Sequence, residues 1–238
     1  ERDIRSTAQR ATADQRWAFG YVIVDEAQEL SAMAWRMIFR RSPNKWMTIV
    51  GDPAQTSNPS GVDTWESTLQ PFVTDRWQLH ELTVNYRTPR DIAQLANELL
   101  PAIAPAQTVA TALRESGTGI RFFALSELGD AVAGARDAAG EGLVGVIFSK
   151  DDAEVSTTVN TVVEEMNAEG SAQLADPAQN IVAVDVTEAK GLEFDEVVLV
   201  EPGSIAAASP QGLNDVYVAI TRATQGLSVV HDAPLPWE

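Results

Sequence analysis

The sequence predicts an α/β protein in which parallel β-sheets are flanked by helices. Three observations predict it. Short apolar runs rich in β-branched residues alternate with helical segments of about a dozen residues, the pattern of βαβ units. Those runs are near-continuous rather than alternating in polarity, as strands covered on both faces require. And 238 residues with 45% hydrophobic and 21% charged side chains suffice for a real core and exclude wholesale disorder.

Residues 1–16 are polar and read as the end of a helix or a frayed start. Tyr21-Val22-Ile23-Val24, bounded by Gly20 and Asp25, reads as a buried strand. A helix follows over 31–41, with Ser31 as its cap and Arg40 and Arg41 at its negative end. Met47 to Val50 is a second strand, closed by Gly51-Asp52-Pro53, and 57–63 is a loop. Leu79 to Val84 is a third strand. Thr88 as cap with Pro89 at the first helical position predicts a helix to about Leu100, stopped by Pro101 to Pro105.

The alternation then restarts. Strands are predicted over 120–125, 144–149, 181–186, 196–201 and 227–231, helices over 126–139, 151–168 and 212–223. Asp176-Pro177 marks a loop, and 187–195 a turn. The boundary between two domains falls near residue 80, giving 1–80 and 81–238.

Acidic side chains number 34 and basic ones 17, a net charge of −17. A large positive field is excluded, although a local basic cleft is not. The absence of cysteine excludes disulfide scaffolds and cysteine-ligated zinc, and only His80 and His231 could serve a histidine metal site. No apolar run approaches the ~20 residues of a membrane helix, and the first residues hold no signal-peptide core. The expectation is a cytoplasmic protein without a membrane partner.

Five stretches carry chemistry. After the first strand come Asp25-Glu26-Ala27-Gln28. In open α/β sheets ligands bind beyond the carboxyl ends of strands. There Asp25 suits Mg²⁺, through its waters, and Glu26 suits the deprotonation of an attacking water. A solvated acidic loop is an equal reading of these residues alone. After the second strand, Gly51-Asp52-Pro53-Ala54-Gln55 offers an amide that can hydrogen-bond a γ-phosphate, or simply a common turn.

Asn85-Tyr86-Arg87-Thr88 places Arg87 at a strand-to-helix junction, where it can reach phosphate or be a surface arginine. Ala189-Lys190-Gly191-Leu192-Glu193-Phe194 follows a buried strand and is expected at the sheet's carboxyl edge. In 214–223 a mostly apolar helix ends in Arg222, which must pair or deliver its charge.

In this order and spacing the five stretches resemble the motifs of superfamily-1 helicases of the UvrD/Rep type, from about residue 20 to 231. The resemblance implies RecA-like (P-loop NTPase) domains: the C-terminal portion of a first in 1–80, and a complete second in 81–238. It implies ATP and Mg²⁺ as cofactors, with Asp25 on the metal and Glu26 as catalytic base. Gln55 looks like the γ-phosphate sensor, and Arg87 and Arg222 like arginine fingers from the second domain. Glu193 resembles the residue that contacts the nucleotide ribose, and Gly191 lies by the phosphates.

The departures are informative. No Gly-x-x-x-x-Gly-Lys-Ser/Thr occurs, so the phosphate-cradling loop is absent. The chain therefore resembles the C-terminal part of a longer protein, and alone it is expected not to hydrolyse ATP. Thr56 to Gly61 lack the aromatic and basic residues with which DNA-translocating members hold single-stranded bases. Trp65 could substitute, but a core or surface role suits it better. The roughly one hundred residues between the fourth and fifth motifs are expected to leave no room for the extra subdomain of UvrD and Rep, and no C-terminal nuclease segment is expected.

The stretches 24–37 and 82–89 resemble the HelD-type, RNA-polymerase-associated ATPases of Gram-positive bacteria. That resemblance implies RNA polymerase as partner. The alternatives are a repair helicase unwinding single-stranded DNA from its complement, and a non-catalytic RecA-like binding module.

Overall fold

A computed structural model describes residues 18–62, 64–115, 117, 119–173 and 180–238. The polar opening at 1–16 and the Asp176-Pro177 loop lie outside the described residues. The chain divides into two compact units, Glu1–Leu79 and His80–Glu238.

In the first unit, β1 (Val22–Val24) and β2 (Met47–Ile49) pair in parallel, with Val22 opposite Met47 and Val24 opposite Ile49. Helix α1 (Ala32–Arg41) begins at Ser31, whose hydroxyl accepts the Ala34 N–H at 3.3 Å, as the sequence predicts. A second helix, α2 (Trp65–Val73), forms in a stretch with no predicted element and contains Pro71, a residue that normally interrupts helices. Pro71 falls in the last turn, however, and Thr64 caps the start by accepting from Ser67 N. Val24, Trp35, Phe39, Val62, Leu69 and Val73 form the core, with Trp65 packed against it. Trp65 thus serves packing.

In the second unit, β3 (Val84–Asn85) pairs in parallel with β4 (Thr111–Ala112). The main sheet holds β5 (Ile120–Phe123), β6 (Val144–Phe148), β7 (Ile181–Asp185), β8 (Phe194–Val200) and β9 (Ala223–Val230). Its order is β5-β9-β8-β6-β7, and every neighbouring pair is parallel. Helices α3 (Arg90–Asn97), α4 (Leu100–Ile103), α5 (Leu128–Ala139), α6 (Ala153–Gln173), α7 (Pro202–Ala208) and α8 (Gly212–Thr221) complete the unit.

One face of the sheet (Val144, Val146, Phe148, Val198, Val200, Val230) packs against Leu128, Val132, Val155 and Val159 of α5 and α6. The opposite residues, Ile147, Val197, Leu199, Leu227 and Val229, are equally buried, and α8 packs on β8 and β9. Burial on both faces explains the unbroken apolar runs. Each such Val, Leu or Ile contributes about 1.5–3 kcal/mol. Helix α8 is buried from Asp215 to Thr221, so its sequence is mostly apolar.

Several expectations are corrected. The strand predicted at 79–84 is only Val84–Asn85; β4 offers just two pairing residues, and Leu82 is 88% exposed. Pro89, not Thr88, is the N-cap of α3, and Thr88 is buried. Pro101 lies inside the first turn of α4, where its missing N–H costs nothing. Strand β8 starts at Phe194, within the predicted turn. Helix α8 hands over to β9 at Ala223, with only Arg222 between them.

Candidate functional site

In the first unit, the chain leaves β1 through Asp25 and Glu26 and leaves β2 through Gly51 and Asp52, so both exits lie at the carboxyl edge of this parallel pair. Val50 N donates to Val24 O at 2.8 Å and Ala27 N to Val50 O at 3.0 Å, which locks the two exits together. A chain of hydrogen bonds then joins the two motifs. Gln28 Nε2 donates to Glu26 Oε2 at 2.7 Å, and Gln28 Oε1 accepts Asp52 N at 3.2 Å. Asp52 Oδ2 accepts Gln55 Nε2 at 2.8 Å, and Asp52 Oδ1 accepts Ala54 N at 3.0 Å.

Gln28, only 1% exposed, is the hub. A Cβ on residue 51 would lie 2.5 Å from Gln28 Oε1, so any larger residue there must displace the hub's amide. Glu26 has φ 49°, a left-handed conformation that costs a non-glycine residue about 1–2 kcal/mol. Asp25 Oδ1 accepts Glu26 N at 2.9 Å, and its second oxygen faces no donor among the described residues. An exposed carboxylate with a free oxygen fits outer-sphere Mg²⁺, which keeps most of its waters. Among the described residues no group of three or more acidic or histidine side chains could hold a metal ion by protein ligands alone.

In the second unit, Arg87, Glu193 and the end of α8 converge from positions 106 and 134 residues apart in sequence. Asn85 Oδ1 accepts Arg87 N at 2.9 Å and Thr88 N at 3.0 Å, an Asx turn that aims the arginine. Arg114 Nη1 donates to Arg87 O at 2.9 Å and fixes it from the other side. Arg87 Nη1 then donates to Glu193 Oε1 at 2.6 Å and Nη2 to Thr221 O at 3.4 Å. Both side chains are well exposed, 38% and 54%. Next to Thr221, Arg222 is 4% exposed and donates to main-chain oxygens: Nε to Val218 at 3.2 Å, Nη1 to Leu192 at 3.3 Å.

The expected edge is wrong for this cluster. Glu193 directly precedes Phe194, the first residue of β8, and Arg222 directly precedes Ala223, the first residue of β9. Phe194 and Ala223 are register partners, so the arginine cluster stands at the amino edge of the sheet. The segment 186–193 leaves β7 at the carboxyl edge and returns across the sheet without a helix. Gly191 lies on this crossing, exposed, with φ +71°.

The carboxyl edge holds Asp185 instead. Burial opposes its ionisation, but the Thr187 hydroxyl, the Lys150 and Thr187 N–H groups and the Lys150 ammonium outweigh that, and hold its pKa below the usual carboxylate value. The second-unit residues that sequence reading missed are Asn85 and Arg114. Asn85 was legible within its motif; Arg114 carried no local signal.

Charge is divided unevenly. Residues 1–79 carry nine basic and ten acidic side chains, net −1; residues 80–238 carry eight and 24, net −16. Those cations are engaged within the protein. Arg87, Arg90, Arg121 and Lys150 pair with Glu193, Glu115, Glu196 and Asp185. Arg114, Arg136 and Arg222 donate to the carbonyls of Arg87, Met166, Val218 and Leu192.

A five-stranded parallel sheet between helices, with motif arginines at its edge, has the architecture of the RecA-like C-terminal domains of helicases. Residues 180–230 match the UvrD-like helicase C-terminal domain. Arterivirus nonstructural protein 10, a helicase solved with DNA, is 16% identical with TM-score 0.50, covering 91% of this chain and 41% of that one. The C-terminal domain of a possible DNA helicase from Lactobacillus plantarum is 18% identical with TM-score 0.43, over 65% of this chain and 92% of that one. The chain thus spans about two fifths of the arterivirus helicase. No curated protein matches it.

Proposed function

We propose that this chain is the C-terminal part of an ATP-dependent, superfamily-1 helicase-like motor that acts on RNA polymerase to release it from nucleic acid. The observation that carries the motor reading is the convergence of Arg87, Glu193 and the end of α8. Motifs distant in sequence bring guanidinium groups together, which is what stabilising charge on a transferring phosphoryl group needs, with a carboxylate beside them that can hold Arg87 in place.

In this reading, Asp25 would hold Mg²⁺, which would neutralise phosphate charge when nucleotide is bound. Glu26, aimed by Gln28, takes the proton of the attacking water. Gln55, aimed by Asp52, senses the γ-phosphate. Arg87 and Arg222 stabilise the transition-state charge. Glu193 binds the ribose once Arg87 releases it, and Gly191 gives close backbone approach to the phosphates. Residues 1–80 are the later portion of a first RecA-like domain and 81–238 a complete second.

The charge division favours a protein substrate over a nucleic-acid track. A unit at net −16 has little to offer a phosphate backbone. The resemblance of 24–37 and 82–89 to HelD-type proteins names RNA polymerase, and a cytoplasmic setting goes with it. No helix among the described residues is long and apolar enough to cross a membrane.

The test uses the full-length parent. ATP turnover is measured with and without single-stranded DNA, alongside unwinding and co-purification with RNA polymerase. The expected result is polymerase co-purification without unwinding. Strong DNA stimulation with length-dependent unwinding replaces this reading by the repair helicase. Absence of any turnover replaces it by a binding module.

A further inference from the structure

The outer face of α1 is an unusual surface for this chain. Residues 30–51 contain Arg36, Arg40, Arg41 and Lys45 and no acidic side chain, in a protein of net charge −17. Met33, Arg36, Met37 and Arg40 follow the i, i+3, i+4, i+7 spacing of one helix face. All four are exposed, the two methionines at 61% each. The inward face of α1, Trp35 and Phe39, is buried. Among the described residues Arg36 and Arg40 have no hydrogen-bond or ion-pair partner, whereas the cations of the second unit are engaged. Beside them lies an open groove of about 410 Å³, lined by Arg36, Phe39, Arg40 and Phe72.

We propose that this face docks an acidic amphipathic helix supplied by another polypeptide. Exposed methionines are flexible, polarizable anchors that adapt to an apolar helix stripe. The groove offers room for bulky apolar side chains. Arg36 and Arg40, one helical turn apart, match carboxylates one turn apart on the opposing helix. Nucleic acid fits less well. Phe39 and Phe72 stack on each other at 4.3 Å and 11°, and Phe39 is 8% exposed, so its ring is not presented to a base. The inference does not depend on nucleotide hydrolysis.

The test titrates the 238-residue chain into a fluorescein-labelled synthetic helix of about 18 residues, with Leu on one stripe and Glu elsewhere, read by anisotropy. Saturable, salt-weakened binding is expected, at least about tenfold weaker for the Arg36→Glu/Arg40→Glu pair and for Met37→Asp. These exposed substitutions leave the circular dichroism melt unchanged. A peptide with Lys in place of Glu then prefers the Arg36→Glu/Arg40→Glu chain. Equal binding of the Glu peptide to all three chains overturns the proposal. So does an oligo-dT that binds where the peptide does not and is lost in the arginine variant, which assigns the face to nucleic acid. Self-association abolished by Met37→Asp, with no peptide binding, assigns it to a second copy and overturns it equally.

Discussion

The first unit gathers carboxylates and amides at the carboxyl ends of its strands, whereas the second gathers arginines at the amino ends of its strands. Connection accounts for the difference. In the first unit each motif simply continues the strand before it, so Asp25, Glu26 and Asp52 stay at the edge where β1 and β2 end. In the second, the 186–193 segment crosses back over the sheet, and α8 feeds directly into β9. Glu193 and Arg222 are therefore delivered where β8 and β9 begin. A motif's edge is set by where its segment lands, not by the strand it follows.

The two regions also fail differently when altered. Arg222→Ala in the parent should cut ATP turnover by about 10³–10⁵ if it is an arginine finger. Unlike an exposed finger, it should also cost about 1–3 kcal/mol of stability, because the Leu192 carbonyl loses the guanidinium and the Val218 carbonyl, of its side-chain donors, keeps only the Thr221 hydroxyl. Denaturant melts beside turnover assays separate the two losses. Gly51→Ala forces apart the atoms around Gln28 Oε1 and should cost about 1–3 kcal/mol, confined to the first unit. Hydrogen exchange should show faster opening around Gln28 and unchanged protection in β6 and β8.

A smaller, pH-dependent effect tests the carboxyl edge of the second unit. Asp185 has a folded pKa below its unfolded value, so its contribution is fully present above the ordinary carboxylate range. It is lost as pH falls through the folded pKa. The stability advantage of the native chain over Asp185→Asn should shrink between about pH 5 and pH 2 in urea melts. A constant gap contradicts the assignment. The smallest effect belongs to Arg90→Ala: its exposed pair with Glu115 should contribute no more than about 0.5 kcal/mol. A larger loss there would mean that the 113–115 segment braces Arg87 more firmly than its hydrogen bonds suggest.

Much of the fold was legible because its strongest signals are local. Val144 to Phe148 are all buried, and an unbroken apolar run says so. Ser31 caps α1 as its type and place require. Other features depend on partners that no local pattern reveals. Leu79 to Val84 looks like a strand, but only two residues of β4 are there to pair with it. Helix α2 hides behind Pro71. The β9 start at Ala223 is hidden because no loop separates it from α8.

The site divides in the same way. Residue types and order point to Asp25, Glu26, Gln55, Arg87, Glu193 and Arg222. The role of Gln28 emerges only when β1 and β2 are in register, and the edge occupied by Glu193 only from the crossing of 186–193.

The central claim is that the amino-edge cluster stabilises a phosphoryl-transfer transition state, and Arg87 tests it most directly. Its exposed ion pair with Glu193 contributes little to folding, so Arg87→Ala should leave the melting curve and nucleotide affinity of the parent near normal. Its ATP turnover should fall by about 10³-fold or more. Turnover within a few-fold of the unaltered parent, with the cluster otherwise intact, would contradict the account.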